Sequence, residues 1–249
     1  MLNGVDILGV WVQSGPVHNV VDHIDERVEQ RDATRVAFLN AHLSNVCSGN
    51  EALRNRLGQF LVLNDGVGVD IARRVLHGRA FPENLNGTDF VTAYLDRTSH
   101  DLRLFLLGAR PDVVEKAGAI VQERWPRHTV VGTHNGFLDA ADEASLRRTI
   151  AAARPDLILV GMGNPRQERW IADNVPGVCL CAMAVGAWFD FITGTVPRAP
   201  GWIRRARLEW IYRLCIEPRR LASRYLVGNL LFLARLGLAR VRLGRFQEG

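Results

Sequence analysis

Short apolar runs alternate with longer amphipathic stretches up to about residue 195, and this alternation constrains the fold more than any other feature. The strand-like runs are VDILGVWV, RVAFLNA, FLVLND, LRLFLLGA, HTVVGTH, DLILVGMG and VCLCAMAVG. Helix-like stretches lie between them, as in VHNVVDHIDERVEQ, DVVEKAGAIVQERW and EASLRRTIAAAR. Strands that alternate with helices predict an α/β fold with a mostly parallel sheet and flanking helices.

The alternation ends where TVPRAPG interrupts the pattern. Beyond it, WIRRARLEWIYRLCI has helical spacing, and the remaining residues mix Leu with Arg down to the last position. The helical spacing is carried by Trp202, Arg205, Leu208, Glu209 and Tyr212. These stretches predict basic amphipathic helices, which suit a membrane surface, docking against a partner helix or self-association. We therefore predict two domains, an α/β domain over residues 1–195 and a helical appendage over residues 196–249.

Charge is unevenly distributed along the chain. The net charge is +5, but the segment from Arg198 to Gly249 holds 12 Arg and three Glu and carries +9, so residues 1–197 carry −4. Such asymmetry predicts an appendage that meets anions, which are phosphates, acidic lipids or nucleic acid. An ordinary solvated face is the simpler alternative.

The sequence also bears on the compartment. The N-terminal MLNGVDILGVWV has no signal-peptide pattern and predicts a first strand, and no uninterrupted apolar run approaches the ~18–20 residues of a transmembrane helix. Zinc binding would need a second Cys or His pair at ligand spacing, which the four cysteines do not supply. We predict a cytoplasmic chain whose cysteines are buried thiols: Cys47, Cys179, Cys181 and Cys215.

Polar residues and glycines follow five of the predicted strands. In a parallel sheet, ligands bind outside the carboxyl ends of the strands, so these residues are expected to line one cleft. The residues at the strand ends are Asn40, His42, Asn64, Asp65, Gly66, Gly68, Gly108, His134, Asn135, Gly136 and Phe137, with GMGNPRQE at residues 161–168.

The GMGNPRQE stretch is typical of a phosphate-binding turn. Gly161 and Gly163 would let the backbone approach a ligand, and amides at a helix N-terminus favour anions. Pro165 suits the first helical turn, while Gln167 and Glu168 suit hydrogen bonds to a base or sugar. A tight strand-to-helix turn without a ligand is the alternative. Gly66 and Gly68, after the earlier strand, do not form the dinucleotide-binding fingerprint G-x-G-x-x-G, because Ile71 stands where its third glycine belongs. The P-loop motif does not occur in the sequence.

Asp65 is the candidate general base. It follows an apolar strand and precedes Gly66, which predicts a position at a strand end facing the cleft. A carboxylate there can take a proton from a hydroxyl nucleophile. The alternative is an Asx-turn or a helix cap.

Together these stretches resemble the WecG/TagA/CpsF family, glycosyltransferase family 26. The resemblance covers roughly residues 35–225 and rests on LNDGVGVDIARRV, ENLNGTDF, the NGF turn, GMGNPRQERWI and AVGAWFDFITGTVPRAPGWIRRARLEWIYRLCIEPRR. It implies a Rossmann-like sheet with a C-terminal helical appendage at the membrane. It also implies an inverting transferase, without metal or cofactor, that moves sugar from a UDP-sugar to a polyprenyl-diphosphate-linked saccharide for cell-surface polysaccharide or exopolysaccharide.

The resemblance also assigns roles to residues of this sequence. It implies that Asp65 is the base. It implies a substrate-binding set made of Asn40, Asn64, Gly66, Asn86, Asp89, Gly108, Asn135, Gly136, Phe137, Gly161, Gly163, Pro165, Gln167, Glu168 and Arg198. It assigns the acceptor diphosphate to Arg213, Arg219, Arg220 and Arg224. The chain departs from the family pattern at Phe38, where many members have Thr, and at Asn84, where many have Arg, so N-acetylmannosamine, N-acetylmannosaminuronic acid and glucose are all compatible donors.

Three other functions fit parts of the sequence. A dinucleotide-dependent oxidoreductase fits the alternation but lacks the glycine fingerprint. A nucleotide- or nucleic-acid-binding protein without transferase activity fits the basic appendage, but Trp202, Trp210 and Tyr212 look like docking residues, so we predict no nucleic-acid partner. A membrane-associated scaffold would bind lipid without turnover. Self-association into a homo-oligomer is compatible with all of these functions.

Overall fold

A computed structural model describes residues 2–137, 140–175, 178–205 and 208–247. The α/β part contains eight strands and nine helices within these ranges. The strands are β1 Asn3–Ile7, β2 Val10–Ser14, β3 Thr34–Leu39, β4 Leu61–Asn64, β5 Arg103–Gly108, β6 Thr129–His134, β7 Leu157–Gly161 and β8 Cys181–Ala184. The helices are α1 Val17–Glu29, α2 Ala41–Ser48, α3 Glu51–Leu57, α4 Val67–His77, α5 Gly87–Arg97, α6 Pro111–Arg124, α7 Ala140–Ala153, α8 Arg166–Asn174 and α9 Trp188–Ile192.

The strands form one sheet in the order β1-β2-β4-β3-β8-β7-β5-β6. Every pairing is parallel except that between β1 and β2. Buried side chains cover both faces of the sheet in two clusters, so the near-continuous apolar character of the central strands has a direct cause. The predicted mostly parallel α/β sheet is confirmed, and so are the helices predicted over VHNVVDHIDERVEQ, DVVEKAGAIVQERW and EASLRRTIAAAR.

The prediction of a single first strand is wrong. VDILGVWV contains a tight hairpin, in which Ile7 pairs with Val10 and the two residues between them form the turn. Leu8 has a φ of 54° and Gly9 a φ of 87°, as the two-residue hairpin turns that match strand twist require. The Gly9 N–H also donates to Asp6 Oδ1 at 3.0 Å. Asp6 therefore closes a turn that the apolar pattern alone conceals.

The cysteine prediction holds only in part. All four side chains are free thiols, and Cys47 and Cys181 are buried. Cys179 is half-buried because β8 begins only at Cys181, later than the apolar run suggests. Cys215 is exposed on the helix over residues 209–216, which contradicts the prediction of a buried thiol.

The appendage contains helices α10 Gly201–Arg205, α11 Glu209–Ile216, α12 Pro218–Ala222 and α13 Gly228–Gln247, with a π-helical turn over Ser223–Val227 between the last two. The appendage is helical as predicted, and within WIRRARLEWIYRLCI helix α10 ends at Arg205 and α11 begins at Glu209. Residues 206–207 lie outside the described ranges.

Helix α13 packs on the α/β part, against α2 and α4. Phe232 and Leu236 on this helix are 1% and 3% exposed and belong to one of the two core clusters. Asn45 Nδ2 donates to the Gly228 carbonyl at 2.7 Å, and Arg235 Nη1 donates to Asn45 Oδ1 at 2.9 Å. The appendage is thus fixed to the sheet layers through α13, while the division into domains at residue 195 stays a prediction.

Within the described residues, one helical stretch is long and apolar enough to cross a membrane by length and composition, Pro218–Arg242. Its outward side chains include Leu226, Leu230, Leu231 and Leu238, all more than half exposed. This stretch therefore presents an apolar surface to the outside of the molecule.

Candidate active site

A cleft of about 960 Å³ opens at the carboxyl ends of the central strands, and the appendage forms its far wall. This is the position where open parallel sheets bind ligands. Thirteen of the predicted site residues line the cleft: Asn40, Asp65, Gly66, Asn86, Asp89, Gly136, Phe137, Gly161, Gly163, Gln167, Arg213, Arg220 and Arg224. Seven do not: Asn64, Gly108, Asn135, Pro165, Glu168, Arg198 and Arg219.

Asp65 directly follows β4, and two adjacent residues at the end of β3, Leu39 and Asn40, hold it in place. Its backbone N–H donates to the Leu39 carbonyl at 2.9 Å, and Asn40 Nδ2 donates to its Oδ2 at 3.3 Å. The next residue, Gly66, has a φ of 85° and is the N-cap of α4, which receives no side-chain capping bond. The carboxylate therefore does not cap this helix, and it remains half-buried in the cleft wall.

Burial raises the pKa of Asp65 to about 6, against the Asn40 hydrogen bond and the charges of Arg224 and Arg213, which lower this pKa. Glu209 raises it slightly further. A carboxyl with a pKa just below neutrality is largely ionised at pH 7 yet basic enough to accept a proton. Perturbed carboxylates in a cleft are candidates for proton transfer.

Three glycines at the ends of β5, β6 and β7 bring neighbouring backbones into close contact. Gly108 has a φ of 138°, and a Cβ there would lie 2.4 Å from the Gly161 carbonyl oxygen. A Cβ at Gly161 would lie 2.6 Å from the Phe189 ring, and one at Gly136 would lie 3.0 Å from the Gly108 Cα. Packing between loops thus accounts for Gly108 and Gly161 without a ligand.

Two buried side chains, Gln167 and Glu168, stabilise the turn after β7 through hydrogen bonds. Gln167 Oε1 accepts hydrogen bonds from the backbone N–H groups of Gly163 and Gly186, both at 3.1 Å. Glu168 Oε1 accepts from Gln167 Nε2 at 2.9 Å and from Asn164 Nδ2, and burial raises the pKa of Glu168. Both residues organise the turn, and their contact with a base or sugar stays a prediction.

Residues around this turn differ slightly from expectation. Pro165 is the N-cap of α8, one position before the helix begins, and not a member of its first turn. Gly163 has a φ of 76° with open space where a Cβ would stand, so it keeps one side of the turn accessible from the cleft.

Two predicted site residues on other strand ends stabilise loops. The Asn64 side chain donates a hydrogen bond to the Glu83 carbonyl, and the Asn135 side chain accepts one from the Phe137 N–H.

Asp89 joins the α/β part to the appendage. It follows Asn86, the N-cap of α5, whose side chain accepts from the Asp89 N–H at 3.0 Å. Asp89 Oδ1 lies 2.5 Å from Arg198 Nη2 and 3.4 Å from Arg204 Nη1. Sequence reasoning missed Arg204, because its partner is 115 positions away in the chain.

The four arginines predicted for a diphosphate have different surroundings. Glu217 Oε2 lies 2.5 Å from Arg220 Nη2 and 3.9 Å from Arg213 Nη2, so these two arginines share one carboxylate. Arg219 is exposed and outside the cleft. Arg224 faces the cleft, where burial lowers its pKa, and no ion pair with it occurs among the described residues.

Comparison with known families agrees with this geometry. The sequence model described as "Glycosyl transferase WecG/TagA/CpsF family" matches residues 5–246. The chain belongs to the WecG/TagA/CpsF family of glycosyl transferases. The match spans both the sheet and the appendage, and it confirms the family resemblance drawn from the motifs.

Two relatives of this glycosyl transferase share the same description. A protein of Staphylococcus aureus (strain NCTC 8325 / PS 47) is 30% identical over 223 residues, which cover 87% of this chain and 86% of the relative. One of Bacillus subtilis (strain 168) is 32% identical over 224 residues, covering 84% and 86%. Each is named N-acetylglucosaminyldiphosphoundecaprenol N-acetyl-beta-D-mannosaminyltransferase.

Other titratable groups line the cleft of this glycosyl transferase, among them His42, which was expected at a strand end, and Asp190 and Glu209, which sequence reasoning did not select as site residues. Burial raises the pKa of Asp190 and Glu209, and burial together with Arg224 lowers the pKa of His42 to about 4, which makes it neutral. Asp190 and Glu209 stand inside the motifs FDFITG and LEW, so those motifs carried a signal. In the part of the chain that the structure describes, no group of three His, Cys, Asp or Glu side chains that could hold a metal occurs.

The raised pKa of Asp65 predicts a pH dependence. If Asp65 must be ionised to act, kcat/KM should rise with pH up to about 6 and level off above it. Asn40→Ser keeps an oxygen to cap α2 but removes the N–H that favours the ionised carboxylate. The Asn40→Ser variant should therefore have a higher pKa at Asp65, and the acidic limb of its kcat/KM profile should lie at higher pH. Profiles of kcat/KM against pH for the variant and the unchanged protein would show this shift. A limb that stays in place would exclude Asp65 as its origin.

Proposed function

We propose that this glycosyl transferase moves an N-acetylmannosaminyl group from a UDP-sugar to a saccharide joined by diphosphate to a polyprenol. The central observation is the Asp65 carboxylate in the cleft wall, with a raised pKa and with Arg224 nearby. The relatives support the chemistry, since their names specify an N-acetylmannosaminyl transfer and a diphosphoundecaprenol-linked sugar.

The proposed reaction is a single displacement that inverts the anomeric centre. Asp65 takes the proton of the acceptor hydroxyl as the hydroxyl oxygen attacks the anomeric carbon. The bond from that carbon to the diphosphate of UDP breaks, and UDP leaves with the electron pair. Backbone N–H groups at the strand ends and arginine side chains of the cleft suit the developing charge on UDP, so a metal is not required for that role, while Arg213 and Arg220 stay assigned with Arg224 to the acceptor diphosphate. Arg198, held by Asp89, would act there only after a rearrangement.

We also propose that the protein works at the inner face of the cell membrane, as a cytoplasmic peripheral protein. The appendage combines exposed apolar side chains with arginines, a pattern that favours an anionic lipid surface. Trp202 is 65% exposed on α10, and Leu226 and Leu230 are exposed further along the appendage. Vesicle sedimentation with and without anionic lipid would test this placement. Self-association stays a prediction.

The direct test is UDP release from a panel of UDP-sugars with N-acetylglucosaminyl-diphosphate lipids, in the presence of EDTA. We expect release that depends on the acceptor, is largest with UDP-N-acetylmannosamine, and is unchanged by EDTA. Loss of activity with EDTA would overturn metal independence. RNA binding without UDP binding would instead favour a nucleic-acid-binding protein, the alternative function.

Arg224 is expected to bind the acceptor diphosphate. Arg224→Gln should raise the acceptor KM by roughly tenfold to a hundredfold, because a charge-assisted bond to phosphate is lost. UDP affinity should stay near that of the unchanged protein. Arg219→Gln is the matched control, since Arg219 is exposed and outside the cleft. Steady-state kinetics with a lipid-linked acceptor measures both variants, and equal effects of the two would refute a specific role for Arg224.

A further inference from the structure

Part of the cleft is a groove whose walls are mainly apolar, with Asn229 as a polar neighbour on α13. On α4 the wall consists of Val67, Gly68 and Ile71, and on α13 it consists of Phe232 and Leu233. Gly68 leaves room for the Phe232 ring, which lies 3.7 Å from the position a Cβ would occupy. Ile71 and Leu233 are 38% and 47% exposed, so their apolar surface is open to the cleft. We name these five residues the α4–α13 groove.

Another part of the cleft is charged. There Asp190, Arg213, Glu217 and Arg220 line the wall. Asp65 and Arg224 adjoin both parts. In the chain, Asp65 is two positions before Val67 and Arg224 is about two helical turns before Phe232, while Arg213 acts electrostatically on both residues. Both side chains line the cleft, and the charge of Arg224 lowers the pKa of Asp65. The cleft thus changes from charged to apolar across one carboxylate and one arginine.

This order of surfaces matches the order of groups in a lipid-linked sugar. Such an acceptor has a polar saccharide, then an anionic diphosphate, then an apolar chain. With the sugar hydroxyl at Asp65 and the diphosphate at Arg224, the chain beyond the diphosphate can run along the α4–α13 groove. Val75 and Leu230, both exposed, extend the apolar surface outward from the groove.

We propose that the α4–α13 groove binds the first isoprene units of the acceptor, so that the enzyme recognises the lipid chain directly. This inference rests on the proposed function. A nucleotide or a sugar is a poor occupant, because its hydroxyl groups would lose hydrogen bonds against these five residues. An isoprenoid has no polar group to leave unpaired, and burying its methyl and methylene groups against Ile71 and Leu233 is favourable.

The test compares farnesyl diphosphate with inorganic diphosphate as probes, by calorimetric titration of the full-length protein without detergent or vesicles. We expect farnesyl diphosphate to bind at least about tenfold more tightly. Ile71→Ser combined with Leu233→Ser should remove most of that difference and leave inorganic diphosphate binding unchanged. Leu231→Ser combined with Leu238→Ser is the matched control, because both leucines are exposed on α13 outside the cleft. It should keep the full difference.

Equal binding of the two probes to the unchanged protein would overturn the inference. So would an equal loss in the control variant, since it would attribute the effect to nonspecific contact with exposed leucines. The proposed function is measured separately, by UDP release with a lipid-linked acceptor. If the protein releases UDP with a lipid-linked acceptor but binds farnesyl diphosphate no more tightly than inorganic diphosphate, only the proposal that the α4–α13 groove binds isoprene units is refuted. Inactive protein that binds farnesyl diphosphate through Ile71 and Leu233 refutes only the reaction.

Discussion

Asp65→Asn should reduce kcat by roughly a hundredfold to ten-thousandfold, the range over which a positioned general base contributes. Asparagine has nearly the same shape but cannot accept the proton of the acceptor hydroxyl. UDP affinity should change little, because the nucleotide is assigned to other residues. Rapid-quench or steady-state kinetics combined with UDP titration would measure both quantities. Asp112→Asn, an exposed substitution on α6, should behave as the unchanged protein does.

The same variant should unfold at a higher temperature at pH 7. Burial raises the folded-state pKa of Asp65 above the unfolded value, so the ionised carboxylate destabilises the fold above pH 6, and this penalty disappears as pH falls below about 4. From the shift, the penalty is at most about 3 kcal/mol at pH 7. Thermal unfolding at pH 7 and pH 4 measures it. A variant that loses turnover because it has unfolded would show the opposite change, and turnover above a tenth of normal would refute Asp65 as the base.

Gly108→Ala is expected to have the second large effect, on stability. The added Cβ would approach the Gly161 carbonyl to 2.4 Å at a φ of 138°, a conformation that alanine rarely adopts. The clash has no simple escape, because Gly108 pairs with Gly161 between β5 and β7. We expect the free energy of unfolding to fall by about 3 kcal/mol or more, measured by urea denaturation.

Gly237→Ala is the control for this substitution. Gly237 lies within α13, and nothing within 4 Å would meet its added Cβ. Alanine in an open helical position should stabilise by about 0.5 to 1 kcal/mol. If both variants changed stability by the same amount, steric conflict at Gly108 would not be the cause. If the free energy of unfolding of Gly108→Ala lay within about 1 kcal/mol of that of the unchanged protein, the close approach of Gly108 to the Gly161 carbonyl would be refuted.

The central sheet could be predicted from the sequence because its strands are buried on both faces and read as continuous apolar runs. The N-terminal hairpin could not, because a two-residue turn at Leu8 and Gly9 leaves the apolar pattern nearly unbroken. The break between α10 and α11 was also missed. Helical spacing continues from Trp202 to Tyr212 and does not show that one helix ends at Arg205 and the next begins at Glu209.

The candidate site could be predicted in position but not in its internal contacts. Strand ends in a parallel sheet meet at one edge, so Asn40, Asp65 and Gly161 were expected together, and they do line one cleft. No local pattern pairs Asp89 with Arg204, because the two residues are 115 positions apart in the chain. Likewise, the sequence could not show that Gln167 is occupied by backbone amides from two loops. Such contacts depend on tertiary packing.

The π-helical turn at Ser223–Val227 has a consequence for how this family can vary in length. An α-helix advances about 100° per residue, so Arg224 and Phe232 would point about 80° apart on a regular helix. A π-type turn contains one more residue than an α-helical turn, and the extra residue adds no rotation about the helix axis. The directions of Arg224 and Phe232 then differ by about 20°. Deleting one residue from this π-helical turn would place the Arg224 and Phe232 side chains on different faces of the helix. We expect gaps and insertions among homologous chains to avoid the segment between Pro218 and Phe232.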